Sequence, residues 1–140
     1  MRTPVHLVVS LILSALLYPL FGWKVLLILI SGVLIDIDHY FWYILKYKKV
    51  GLFSCYNHLT VELEKNNWKD ALGALFIFHT MEFLLIIVVA SFYSEYALIL
   101  LIGLLVHYLL DFIWHCYVPK RMITNPSIIL WIFKNIIQKV

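Results

Sequence analysis

Residues 23–47 read WKVLLILISGVLIDIDHYFWYILKY. As an α-helix at about 1.5 Å per residue, this run is long enough to cross the roughly 30 Å hydrocarbon core of a bilayer. Its apolar residues follow one another continuously instead of recurring at the period of a half-buried helix or strand. Three ionisable residues, Asp36, Asp38 and His39, nevertheless stand well inside it. Charge within an apolar span is costly, and such residues are candidates for function by default.

Three further stretches are long enough to cross: 4–21, with Pro19 near its far end, 71–92, and 96–118, which Pro119 ends. Gly22 makes the turn between the first two, and the equally short link at 93–95 makes the third and fourth a second antiparallel hairpin. The whole chain agrees: 140 residues, 64% hydrophobic and 14% charged, with a mean hydropathy of +0.93. A soluble domain of this length needs more polar surface than that. The expected fold is therefore an all-α integral membrane protein, one domain built as a four-helix transmembrane bundle. The apolar run after Arg2 lacks a small-residue cleavage site and reads as a retained first span, not a signal peptide. The last stretch, 127–140, is apolar except for Lys134, Asn135, Gln138 and Lys139; too short to span, it reads as an interfacial amphipathic helix. Between spans two and three, 48–70 is hydrophilic, with a short surface helix expected over 57–65 and His58 in solvent.

Four crossings put the N-terminus, the central loop and the C-terminus on one side, together with ten of the eleven Lys and Arg; the other side holds Lys24 alone, beside Glu95. The positive-inside rule then places both termini in the cytoplasm of a multi-pass inner (plasma) membrane protein. Charges gathered at span ends speak for topology and against a nucleic-acid partner. Cys55 and Cys116 form no CxxC pair and read as small packing residues with free thiols. Trp42, Tyr43, Tyr47, Trp114 and Tyr117 read as an interfacial aromatic belt.

The intramembrane polar residues share one depth. Asp36 to His39 lie roughly 10–15 Å from the cytoplasmic end of span two, His79 and Glu82 about 12–18 Å into span three, and His107 and Asp111 about 10–17 Å from the end of span four. His6 and His115 are shallower. Within helices, His107, Asp111 and His115 form an i, i+4, i+8 stripe, and His79 and Glu82 stand at i, i+3. Asp36 and Asp38 point apart on a continuous helix, so one of them is expected behind the ligands or at a helix break near Gly32. Imidazoles and carboxylates together in a dry pocket suit one or two divalent ions, zinc, manganese or iron. Asp36, His39, His79, His107 and Asp111 are the expected ligands, with His6 and His115 as further ligands or mouth residues, and Glu82 or Asp38 as the group that orients or deprotonates a water.

The stretch Gly32-Val33-Leu34-Ile35-Asp36-Ile37-Asp38-His39 resembles the G-x-x-x-P-D-x-D-H motif of the YdjM-like inner-membrane proteins, described as metal-dependent hydrolases. Gly103 to Asp111 is similar to that family's G-x-x-x-H-x-x-x-D helix, and His6 after Thr3 and Pro4 to its early histidine. Ile35 replaces the family's proline. Of its middle H-R-x-x-x-H-S motif only the second histidine has a counterpart, His79. The resemblance implies metal-assisted hydrolysis of a lipid or lipid-linked ester, most naturally a phosphoester; membrane lipid and the lipid substrate are the expected partners, and whether the chain forms a homo-oligomer is left open by the sequence. Proton or divalent-cation transport, and a non-catalytic role as a membrane assembly partner, are the alternatives.

Overall fold

The computed structural model describes residues 3–65, 69–71, 73–117 and 125–135, without the side chains of Glu64, His115 and Tyr117. The secondary structure of the described residues is all helical, with no strand. Helix α1 spans Thr3–Phe21. Gly22, at φ +54°, opens the 3-10 turn Gly22–Val25 and lets the chain fold back, because this left-handed conformation costs a glycine least. Helix α2 (Leu26–Val33) leads through a second 3-10 turn, Leu34–Asp36, into α3 (Ile37–Tyr47). The connection 52–65 is helical, as α4 (Leu52–Asn57), a π turn (His58–Glu62) and the short α5 (Leu63–Lys65). After 3-10 turns at Lys69–Ala71 and Ile77–His79 come α6 (Met81–Ser91), α7 (Glu95–Tyr117) and α8 (Ile128–Asn135).

Two helical stretches are long and apolar enough to cross a membrane, Thr3–Tyr47, which doubles back at Gly22, and Glu95–Trp114. The expected third span is different. A helix over 71–92 is replaced by turns and extended chain up to Thr80, and α6 has only 11 residues, about 16 Å of helix. The cause is local. Phe78 N–H donates to Asp38 Oδ2 instead of entering a helical ladder, and the Thr80 hydroxyl caps α6 by accepting from Phe83 N–H. Of the expected interfacial helix over 127–140, Ile128–Asn135 is helical; 136–140, Pro119 and the basic pair Lys120 and Arg121 lie outside the described residues.

The polarity of α1 is inverted. Helix α1 buries His6, Ser10 and Ser14, while Leu7, Leu11, Ile12, Leu16 and Leu20 are 44–73% exposed. At one end Val25, Ile28 and Ile99 form an apolar core with Leu13, Leu17 and Phe21 against it, and Lys24 pairs with Glu95 across the two hairpin tips. Glycines bring three helices close. A Cβ on Gly103 of α7 would lie 2.8 Å from the Ile28 carbonyl oxygen, and one on Gly32 of α2 would lie 2.2 Å from Ser10 Oγ. Small residues at crossings are how helices approach where lipid removes the usual hydrophobic drive.

The central connection departs from the sequence expectation. His58 is 6% exposed, not solvated. Its Nδ1 meets Glu62 at 2.5 Å, and its ring lies against Tyr43 and Tyr47. Tyr43, expected in an interfacial belt, is buried. His58 opens the π turn His58–Glu62, a local winding that a spacing argument does not foresee.

Candidate metal centre

The aspartates of the D-x-D-H stretch share one pocket because the helix carrying them is broken. On an uninterrupted α-helix residues two apart diverge by about 200°. Here Val33 leaves helical geometry (φ −130°, ψ −52°), the 3-10 turn follows, and Asp36 stands at the head of α3 without capping it. Both carboxylates thereby reach the histidines of the Phe76–Thr80 segment and α7.

Each histidine at the centre has one nitrogen assigned by its neighbour. His107 Nδ1 is 3.0 Å from the Gly32 carbonyl oxygen. A carbonyl only accepts, so Nδ1 carries a proton. His79 Nδ1 is 3.0 Å from Asp38 Oδ2 and donates to it. In neutral imidazoles this leaves both Nε2 atoms as lone pairs. They face each other at 3.1 Å, and each lies 3.5 Å from Asp36 Oδ1. Asp111 Oδ2 adds a fourth electron-rich atom, 3.3 Å from His107 Nε2 and 4.0 Å from His79 Nε2. Asp36 Oδ1 and the two Nε2 atoms make one ligand group, and Asp111 joins His107 and His6 in an adjoining one; acceptors this close repel one another unless a cation, proton or metal, lies between them. Tetrahedral zinc with bonds of about 2.0–2.1 Å separates its ligands by roughly 3.3–3.4 Å, close to these spacings. The donors therefore fit a divalent ion.

The surrounding residues hold these four in place. Asp38 accepts from three donors: His39 Nδ1 at 2.6 Å, His79 Nδ1 at 3.0 Å and Phe78 N–H at 3.1 Å. With its oxygens taken by three donors, one of them a backbone N–H, Asp38 orients histidines in the manner of a carboxylate behind a metal-bound imidazole. His39 stacks on Phe76 with centroids 3.9 Å apart. Its Nδ1 lies 3.8 Å from Asp36 Oδ1. His6 approaches Asp111 Oδ1 through Nε2 at 3.2 Å and stacks on His107 at 4.1 Å. His107 is fully buried and His6 is 1% exposed, whereas Asp36, Asp111 and His39 are 20–24% exposed, which leaves one side of the centre open.

Thus His6, Asp36, Asp38, His39, His79, His107 and Asp111 meet, as three overlapping ligand groups. Glu82 stays apart. Its carboxylate accepts from Ser127 Oγ at 2.5 Å and from Ile128 N–H at 3.0 Å, capping α8. The i, i+3 spacing of His79 and Glu82 implied a shared face only if both sat on one helix; Thr80 separates them. His115 belongs to α7, but its side chain lies outside the described residues. Spacing alone did not foresee three supports: the Gly32 carbonyl, Phe78 N–H, and Tyr108, whose hydroxyl donates to the Phe78 carbonyl. The cluster of Ser10, Ser31, Gly32 and Gly103 was the available signal for the first.

Comparison of the chain with protein-family models, with curated proteins and with solved structures finds no match.

Proposed function

We propose that this chain is a four-span, multi-pass protein of the inner (plasma) membrane with both termini in the cytoplasm, and that it is a metal-dependent hydrolase of a lipid or lipid-linked ester. The observation that carries this reading is the pair of Nε2 lone pairs 3.1 Å apart, each with its Nδ1 already donating. Asp36, His79, His107 and Asp111 would hold one divalent ion, zinc, manganese or iron. Bound there, the ion would supply Lewis acidity and a water ionised near neutral pH. Segment 73–91 makes the third crossing, with α6 as its helical part. The inverted polarity supports a lipid exterior: polar side chains face inward from α1 and large aliphatic ones face out.

Asp38 is occupied by three donors, so it positions and does not act as a base. Among the described residues His39 Nε2 makes no hydrogen bond. With Nδ1–H held by Asp38, that nitrogen is the acceptor for a proton from the attacking water. Lys48 and Lys49 would attract anionic head groups at the cytoplasmic mouth. The likeness to the YdjM-like proteins points to the same chemistry. Transport is the weaker reading, since the end of the bundle around Val25, Ile28 and Ile99 is apolar and packed. The test is elemental analysis of protein purified in mild detergent without chelator. About one equivalent of metal, lost in Asp36→Ala and Asp111→Ala with helicity unchanged, is expected; a metal-free protein that takes up none of the three ions overturns the reading.

A further inference from the structure

Helices α2 and α6 both pack on α7 and leave an open groove between them, with a volume of about 310 Å³, at the small end of the usual ligand range of roughly 300–1,000 Å³. Leu100 and Leu104 of α7, Ile30 of α2, Leu34 of the 3-10 turn that follows it, and Phe83 and Ile87 of α6 line it. Its one polar side chain is Ser31, whose hydroxyl donates to the Leu27 carbonyl. Such a lining offers nothing to a polar molecule.

One part of this groove abuts the metal centre. Ile35 and Phe78 also line it, and each directly precedes a metal-facing residue, Asp36 and His79. Leu104, 1% exposed, lies one helical turn before His107. Elsewhere the lining is outward-facing: Ile30 and Leu34 are 47% and 59% exposed. An apolar channel open at the side and adjoining a polar, ligand-rich centre is complementary to a molecule with a hydrocarbon tail and a reactive polar head.

We infer that the groove holds one acyl chain of a bilayer lipid, entering sideways between α2 and α6, so that the ester at the head of that chain meets the centre formed by Asp36, His79, His107 and Asp111. This rests on the hydrolase reading above and names its substrate class: an acyl-chain lipid approaching from within the membrane, not a soluble ester arriving from the cytoplasm. The apolar lining selects the tail and the metal-facing residues meet the head.

The probe is phosphatidylglycerol carrying a diazirine in one acyl chain, in vesicles containing the full chain, with crosslinks mapped by mass spectrometry and metal measured on the same sample. Labelling of the inner residues Ile35, Phe78 and Leu104 is expected, together with the ordinary labelling of α1 that any surrounding lipid produces. Ile87→Trp narrows the groove. With the indole filling space the acyl chain would occupy, labelling of the inner residues should fall severalfold while α1 labelling and metal content hold. Leu100→Trp is the second variant, should the first disturb folding. Inner residues that stay unlabelled in metal-loaded protein, or labelling indifferent to both tryptophans, overturn the groove and leave the metal centre standing. Groove labelling in a protein that binds no metal overturns the hydrolase reading, and with it the substrate role of the bound lipid.

Discussion

Replacing Asp38 should loosen the metal without dismantling its ligand set, and two substitutions should do so to different extents. Asp38 Oδ1 accepts from His39 and Oδ2 from both His79 and Phe78 N–H. Asparagine keeps one acceptor. The lower-energy orientation places its oxygen where Oδ2 was, satisfying two donors, and turns its amide toward His39, which can change tautomer. His79 then keeps Nδ1–H and its Nε2 lone pair, and what is lost is the negative charge behind the ring. Alanine removes all three acceptors and frees His79 to rotate. Losing a carboxylate behind a metal-bound histidine costs about 10–100-fold in metal affinity. Asp38→Asn belongs near tenfold and Asp38→Ala near a hundredfold, about 1.4 and 2.8 kcal/mol. Asp36→Ala, which removes a ligand, should exceed both. Competition with a chelating indicator in detergent measures all three, and circular dichroism checks the fold. Wild-type affinity in Asp38→Ala, or equal losses in Asp38→Asn and Asp36→Ala, would refute the assignment of Asp38 as the residue behind the ligands.

Gly103→Ala forces its new methyl against the Ile28 backbone and should lower stability by about 1–3 kcal/mol; Gly32→Ala meets mainly the rotatable Ser10 hydroxyl and should cost less, a ranking that thermal unfolding in detergent reads directly. Glu82→Ala frees the start of α8, so amide exchange over 128–135 should quicken while metal content stays constant; loss of metal would return Glu82 to the centre. Cys55 is 4% exposed, and burial pushes its thiol above the ordinary range. Its alkylation should therefore lag behind that of exposed Cys116 near neutral pH, and accelerate only as pH rises past the usual thiol value, followed by mass spectrometry of the two peptides.

The helical character, the apolar stretches and the gathering of polar residues were legible because they follow from run length and from the cost of burying charge. Depth along a helix is a simple product of residue number and rise, so Asp36, His79, His107 and Asp111 could be brought to one level from sequence. Orientation about each axis could not. It required knowing that α2 does break just after Gly32, which the sequence offered only as one of two alternatives, and that the chain from Gly73 to Thr80 abandons helix for contacts with Asp38 and, through Ala74 O, with Asn125. Both are tertiary effects: a hydrogen bond to a residue 40 positions away overrides local propensity. Glu82 was misplaced for the same reason, since its partners at Ser127 to Ile129 come from a segment read as separate.

Gly32 both admits Ser10 at a helix crossing and offers its carbonyl to His107, so one residue couples two kinds of assembly. Hydrophobic helices can enter a bilayer individually before they associate. The residues that meet at the centre come from α1, the α2–α3 break, the Phe76–Thr80 segment and α7, spread over more than a hundred positions from His6 to Asp111. In the unassociated helices each of these histidines and carboxylates would meet hydrocarbon or a chance partner, and no pair of segments satisfies them all. On the proposed membrane reading, the ligand residues converge only once the glycine crossings have closed, and an arriving ion would bind the assembled helices and not their separate parts.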